Sequence, residues 1–129
     1  MSLRASAGER RRPCVLVVDD DPSVLRTLTR MLGSQAEVRF ALGAEDALLL
    51  LLKENFDSVL VDFNMMGPNG AWLLRKVRTL YPRVHRILLS GMSYGDLAAH
   101  LDPGLVDRFL EKPLERSALF EAVLLTEAG

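Results

Sequence analysis

Short apolar runs alternate with segments of helical period along this chain from Cys14 onward. The apolar runs predict strands over residues 14–19, 37–41, 58–62, 86–90 and 107–110. The periodic segments predict helices from Pro22 to the stop at Gly33, over 44–53, from about 69–70, over 94–101 and after Pro113. Five strand–helix pairs in succession predict an α/β fold with three layers: a doubly wound, parallel, five-stranded sheet with helices on both faces.

The first 13 residues differ from the rest because they are polar, basic and aperiodic. They predict a flexible N-terminal arm, followed by one domain over residues 14–127. The chain has 129 residues, which suits a single hydrophobic core. We expect Cys14, the only cysteine, to be a buried small hydrophobe in a reducing compartment, with the cytoplasm as the default location.

The charge and hydropathy of the chain exclude several classes of partner. A formal net charge of −1 gives no electrostatic reason for direct binding to nucleic acid or to an anionic membrane. No apolar run approaches the ~18 residues that a membrane-spanning helix needs, so we expect no membrane insertion.

Polar side chains follow four of the predicted strands where those strands end. The first strand leads into three aspartates, and the others lead to single residues: Asp19 to Asp21, Asp62, Ser90 and Lys112. Because the carboxyl ends of parallel strands meet at one edge of a sheet, these groups are expected to gather around Asp62. Since a strand buried on both faces offers no polar partner, a carboxylate that ends it must emerge at that edge.

The crowded carboxylates point to a magnesium site. Two carboxylates ~4 Å apart repel by ~4 kcal/mol at an effective dielectric constant of ~20, and a hard cation relieves that cost. Asp21 is expected to cap the first helix, and a cap is also the alternative role of Asp19 and Asp20. With Asp62 across the sheet, we interpret Asp19, Asp20 and Asp62 as magnesium ligands.

Asp62 is already ionised at neutral pH, so it can act as a nucleophile towards phosphorus without an adjacent base. Phosphoryl transfer chiefly requires alignment and neutralised equatorial oxygens. Mg²⁺ and Lys112 would supply the cations, and Ser90 a hydrogen bond. The Lys112–Pro113 peptide is a candidate for the cis conformation.

Four segments together resemble the receiver domain of response regulators in two-component signalling. They are residues 15–22 (VLVVDDDP), 62–65 (DFNM) with Gly70, 87–91 (ILLSG) and 109–113 (FLEKP). The resemblance covers about residues 14–127 and implies the flavodoxin-like strand order 2-1-3-4-5.

The resemblance also implies specific roles. Asp62 would be the phosphoacceptor, taking its phosphoryl group from a sensor histidine kinase or a histidine phosphotransfer protein. Asp20 would bind Mg²⁺ directly, Asp19 through water, and Asn64 through its backbone carbonyl. Lys112 would contact the phosphoryl oxygens.

A switch and an output surface follow from the same resemblance. Ser90 would be the switch hydroxyl, and Phe109 the aromatic ring that rotates inward after it. The output surface would be formed by the fourth helix, the fifth strand and the fifth helix, which could also serve a homodimer. The effector domain or protein downstream is not specified.

Three other readings compete with a signalling switch. A small Mg²⁺-dependent phosphatase of the haloacid dehalogenase type would use Asp19 and Asp21 as its Asp-x-Asp motif, but the acidic pair expected after the lysine is missing. A pseudo-receiver would bind partners without phosphorylation, which the complete acidic set argues against. A flavodoxin-type flavin module would need a Ser/Thr/Gly-rich phosphate loop after the first strand, which is absent.

Overall fold

Five parallel strands form one sheet in the order β2-β1-β3-β4-β5, as predicted. The computed structural model describes residues 12–63, 68–99 and 101–124. The strands are β1 (Cys14–Val18), β2 (Glu37–Ala41), β3 (Ser58–Asp62), β4 (His85–Ser90) and β5 (Arg108–Glu111). The helices in the described residues are α1 (Pro22–Leu32), α2 (Ala44–Lys53), α3 (Pro68–Leu80), α4 (Tyr94–Ala98) and α5 (Arg116–Leu124), with a 3₁₀ turn at Gly33–Gln35.

Helices cover both faces of the sheet and create two hydrophobic clusters. One cluster joins α2, α3 and α4 to the sheet and includes Leu51, Leu74 and Leu97. The other joins α1 and α5 to the opposite face and includes Leu28 and Leu119. Because β1 and β3 are central and buried along their whole length, their apolar residues serve both clusters and fix the level at which these strands end.

Capping residues in the sequence set the two ends of α1, which lie where they were predicted. Asp21 is its N-cap, with the Asp21 side chain accepting a hydrogen bond from the Ser23 N–H at 3.0 Å, and Pro22 follows in the first turn. Gly33 ends the helix at φ 56°, a left-handed backbone conformation that favours glycine, and its N–H donates to the Thr29 carbonyl.

The structure corrects some predicted boundaries. β1 ends at Val18 rather than Asp19, although the Asp19 N–H still donates to the Ala41 carbonyl at 3.1 Å. Helix α4 ends at Ala98, because the Leu101 N–H donates to the Ala98 carbonyl in a tight turn and Pro103 and Gly104 follow.

β2, α2 and β3 have the predicted bounds, whereas four other elements shift by a few residues. β4 begins one residue earlier than predicted, β5 is shifted by one to 108–111, α3 begins at Pro68, and α5 begins at Arg116. The predicted N-terminal arm lies outside the described residues except for its last two, and residues 125–127 of the predicted domain also lie outside them.

A buried arginine anchors the segment that leads into β5. Arg86 is 7% exposed, and its Nε donates to the Leu105 carbonyl at 2.8 Å. The Asp107 carboxylate lies 3.7 Å from the guanidinium and accepts from the Arg86 backbone N–H at 2.8 Å. These contacts fix where β5 begins and therefore where Lys112 emerges at the other edge of the sheet.

Arg86→Met is expected to lower the free energy of unfolding by about 2–3 kcal/mol, because it removes the charge-assisted hydrogen bond to the buried Leu105 carbonyl and the ionic contact with Asp107. Arg108→Met is the matched control: its pair with Glu121, at 3.3 Å, is exposed and is worth at most about 1 kcal/mol. Urea unfolding of both variants checks the difference. Equal losses would contradict the anchoring role of Arg86.

Cys14 is 6% exposed, which confirms that it is a buried small hydrophobe. Burial, with a smaller contribution from Glu37, raises the pKa of the Cys14 thiol from 9.0 to about 11. The thiolate is the reactive form, so at pH 8 we expect native protein to react with a thiol reagent about a hundredfold more slowly than urea-unfolded protein. Similar rates in both states would contradict this burial.

Candidate functional site

The site lies at the carboxyl edge of the sheet, centred on the last residue of β3. Asp62 is 1% exposed and follows three fully or almost fully buried residues, Val59, Leu60 and Val61. β3 lies between β1 and β4 in the sheet, so its end faces the loops that follow both strands.

Lys112 is the direct partner of Asp62. The Lys112 Nζ lies 2.7 Å from the Asp62 Oδ2, and the lysine side chain is 34% exposed while the aspartate is almost fully buried. The backbone holds this lysine in place, since its N–H donates to the Ser90 carbonyl at 2.8 Å. The Lys112–Pro113 peptide is cis, as predicted.

Asp19 forms the second buried carboxylate of the site. It is fully buried, and its Oδ1 accepts a hydrogen bond from the Asp21 N–H at 2.9 Å. Its Oδ2 is buried without a hydrogen-bond partner. Asp62 lies beside it and is also an acceptor, so the two carboxylates can share a hydrogen bond only when one is protonated.

The electrostatics of Asp19 follow from this position. Burial is the largest influence and raises the pKa of Asp19 to about 7, the Asp21 N–H opposes it, and the neighbouring Asp62 adds to the rise. A carboxylate that is buried with an orphaned oxygen beside a second carboxylate is short of positive charge.

The remaining predicted magnesium ligands are placed differently. Asp20 is exposed at the rim of the site, close enough to raise the pKa of Asp19. Asn64 lies outside the described residues. Within residues 12–63, 68–99 and 101–124, no three His, Cys, Asp or Glu side chains cluster closely enough to hold a metal ion by themselves.

The donor set nevertheless fits magnesium. Mg²⁺ is usually bound through one or two carboxylates, with water and phosphate oxygens completing its octahedron, so three converging side chains are not required. The orphaned Oδ2 of Asp19 is a hard oxygen ligand in a site where Lys112 is the partner of Asp62 and no described group pairs with this oxygen. One or two carboxylates of this site could therefore hold Mg²⁺ if water and phosphate oxygens supply its other ligands.

Ser90 and Phe109 lie on the neighbouring strands β4 and β5. Ser90 is fully buried, and its Oγ accepts a hydrogen bond from the Met92 N–H at 3.0 Å. Phe109 is partly buried, and its ring contacts that of Tyr94, with 5.3 Å between ring centroids and 59° between ring planes. Tyr94 was not among the predicted site residues, although an aromatic at the start of α4 was visible in the sequence.

Comparison with known proteins identifies the family. The family model for the response regulator receiver domain matches residues 15–124. The chain belongs to the response regulator receiver family. Receiver domains are phosphoacceptors of two-component signalling, where a kinase phosphorylates them, and they are generally not turnover enzymes.

The relatives include a response regulator and a transcriptional regulatory protein. The response regulator protein FleR of Pseudomonas aeruginosa is 37% identical over 112 residues, which are 84% of this chain and 23% of FleR. The hydrogenase transcriptional regulatory protein HoxA of Bradyrhizobium diazoefficiens is 34% identical over 110 residues, again 84% of this chain and 23% of the relative. The chain thus spans about a quarter of the length of these curated relatives.

A solved structure shows the same fold. The signal receiver domain of an HD domain-containing protein from Pseudomonas fluorescens Pf-5 has a TM-score of 0.76 and 32% sequence identity, covering 87% of this receiver and 91% of that chain. In the part of the receiver that the structure describes, no helix combines the length and apolar character needed to cross a bilayer.

Proposed function

We propose that this receiver, extending over residues 14–127, takes a phosphoryl group onto Asp62 in the presence of Mg²⁺. One observation carries the proposal: a buried aspartate bonded to a lysine at 2.7 Å lies beside a second buried aspartate that has an orphaned oxygen. Phosphoryl transfer to a carboxylate requires positive charge around the transferring oxygens. The lysine would supply one cation, and Mg²⁺ beside the second aspartate would supply the other.

In the proposed step, an Asp62 carboxylate oxygen attacks the phosphorus of a phosphohistidine on a sensor histidine kinase or phosphotransfer protein. A P–O bond forms, the P–N bond breaks, and the imidazole leaves with a proton from solvent. Lys112 would then contact the transferring oxygens; the contact that its Nζ already makes with the Asp62 carboxylate supports this role.

Mg²⁺, when bound, would neutralise the charge that develops on the phosphoryl oxygens. We assign Asp20 as its direct ligand, Asp19 as a ligand through water, Asp62 as the shared carboxylate and the Asn64 carbonyl as the remaining protein ligand. The exposure of Asp20 at the rim and the orphaned oxygen of Asp19 support this assignment.

The switch would couple the phosphoryl group to the surface formed by α4, β5 and α5. Ser90 would donate its hydroxyl to a phosphoryl oxygen, and Phe109 would then turn inward. A hydrogen bond to a charged group contributes about 1.5–3 kcal/mol, whereas moving a population from 1:99 to 99:1 requires about 5.5 kcal/mol. Lys112 and a partner on the α4–β5–α5 surface must therefore contribute too.

The contact between Tyr94 and Phe109 supports this coupling, because inward rotation of Phe109 would break or remake a packed ring pair on that surface. The partner that reads the change would be a downstream effector domain or protein, or a second copy bound through α4, β5 and α5.

Intact-mass measurement after incubation with acetyl phosphate and Mg²⁺ tests the proposal. We expect one added phosphoryl group in the wild type, and none in Asp62→Asn or after chelation of Mg²⁺. Asp46→Asn, an exposed aspartate on α2, is the matched control and should be labelled like the wild type. Robust labelling of Asp62→Asn would refute the assignment.

The same samples separate the phosphatase alternative. Sustained turnover of p-nitrophenyl phosphate that is lost in Asp19→Asn would favour a haloacid dehalogenase-type enzyme, in which Asp19 is the nucleophile. A receiver is expected to show no such sustained turnover.

A further inference from the structure

An apolar groove lies between α1 and the open edge of the sheet, away from the phosphoacceptor site. Its volume is about 470 Å³, with Leu25 and Thr29 of α1 on one side and Phe40 and Leu42 on the other. Phe40 is 56% exposed and Leu42 is 49% exposed. Two large neighbouring side chains that expose half their surface beside a concave groove are typical of an interaction site.

The rim of this groove is basic. Arg26 and Arg30 line it from α1. Neither arginine forms an ion pair with another described residue. Arg39 of β2, in contrast, is paired with Glu54 at 3.3 Å. The groove is therefore suited to an acidic helix that carries large apolar side chains.

Helix α2 of the same chain has this character on its outward side. Glu45, Leu49 and Leu52 recur at the i, i+4, i+7 spacing of one helix face. Leu49 is 53% exposed and Leu52 is 74% exposed, and Glu45 and its neighbour Asp46 are also exposed. No described residue forms an ion pair with either of these two acids. The face is therefore acidic at its N-terminal end and leucine-rich beyond it.

The topology allows one copy to place this face in the groove of another. β2 is an edge strand, with α1 on one face of the sheet and α2 on the other. A two-fold axis parallel to β2, running along its open edge, turns the second copy over, so that α2 of the second copy comes beside α1 of the first. The same operation places α2 of the first copy in the second groove, so the contact closes on itself.

The charges match in this arrangement. Helices α1 and α2 both begin at the carboxyl edge of the sheet, because each follows a parallel strand. A rotation about an axis parallel to the strands keeps each group at its level along them. Arg26, near the start of α1, therefore meets Glu45 of the second copy, and the leucines further along α2 meet the apolar groove.

We propose that this receiver forms a two-fold symmetric dimer through the β2 edge, with α2 of each copy docked in the α1–β2 groove of the other. This surface is separate from the α4–β5–α5 surface and uses no residue of the phosphoacceptor site. The dimer is therefore expected to form equally well in Asp62→Asn, which distinguishes its failure from that of the proposed function.

Sedimentation velocity over a roughly hundredfold range of concentration tests the dimer, since its population must follow mass action. Arg26→Glu and Glu45→Lys are each expected to raise the dissociation constant by about tenfold or more, because each places like charges opposite one another. Mixing the two variants restores opposite charges at both symmetric contacts. The mixture is therefore expected to dimerise although each variant alone is monomeric at the same concentration.

Matched controls locate the contact. Glu121→Lys on α5 makes the same change of charge on the α4–β5–α5 surface and is expected to leave the dissociation constant unchanged. Leu52→Gln is expected to weaken the dimer and Leu80→Gln, an exposed leucine on α3, to leave it unchanged. Thermal unfolding of every variant verifies that it is folded.

Three results would overturn the proposal. The first is a monomer at every concentration. The second is a dimer that survives Arg26→Glu and Leu52→Gln but is lost in Glu121→Lys. The third is a mixture of Arg26→Glu and Glu45→Lys that stays as monomeric as its components.

Discussion

Lys112→Met is expected to slow phosphoryl uptake by Asp62 by about a hundredfold or more, the usual effect of removing one preorganised group that stabilises charge in a transition state. The Lys112 Nζ already lies 2.7 Å from the Asp62 carboxylate, so it carries positive charge to the point where the phosphoryl oxygens arrive. Methionine keeps the length of the side chain and removes the charge. The rate of mass increase with acetyl phosphate and Mg²⁺ measures the effect.

Lys76→Met is the control for this change, since Lys76 is exposed on α3 and its ammonium lies over the Trp72 ring at 5.6 Å. That variant should be phosphorylated at the wild-type rate. Lys112→Arg is expected to recover only part of the rate, because the guanidinium keeps the charge but has a different shape. Wild-type uptake by Lys112→Met would show that the ion pair with Asp62 has no part in the transfer.

Asp19→Asn is expected to have opposite effects on stability and on magnesium binding. Without metal, it should raise the free energy of unfolding by about 1–3 kcal/mol, because the new amide puts a donor where the buried Oδ2 has no partner. The Oδ1 of asparagine can still accept from the Asp21 N–H. The same change removes one carboxylate from the proposed magnesium site, so the added stability should come with weaker binding.

Urea unfolding with and without Mg²⁺ separates these effects. The wild type should gain stability as Mg²⁺ is added, following mass action, and Asp19→Asn should gain much less. Asp20→Asn is the matched control: Asp20 is exposed, so its metal-free stability should change by less than about 0.5 kcal/mol, while its response to Mg²⁺ should also weaken. Lower stability of metal-free Asp19→Asn would contradict the interpretation that the unpaired Oδ2 of Asp19 destabilises the folded protein.

The pattern of apolar and polar residues along the chain is enough to predict the architecture and the location of the site. Buried parallel strands require uninterrupted apolar runs, and helices require apolar residues at a 3.6-residue period, so the two patterns are distinct along the chain. A carboxylate that ends the buried run 59–61 can only emerge at the carboxyl edge, so this run alone predicts where Asp62 lies. The ends of helices and strands are harder to predict from the sequence. Helix α4 ends earlier than predicted, because a tight turn can replace the last helical turn at little cost in free energy.

The pairing of side chains within the site, in contrast, depends on how distant parts of the chain pack together. Asp19 and Asp20 are adjacent and chemically identical, yet one is fully buried with an orphaned oxygen and the other is exposed. The bond from Lys112 to Asp62 joins residues 50 positions apart, and Tyr94 meets Phe109 through the packing of α4 against β5. Such contacts depend on the relative position of several elements at once, whereas periodicity reports only which face of its own element a residue occupies.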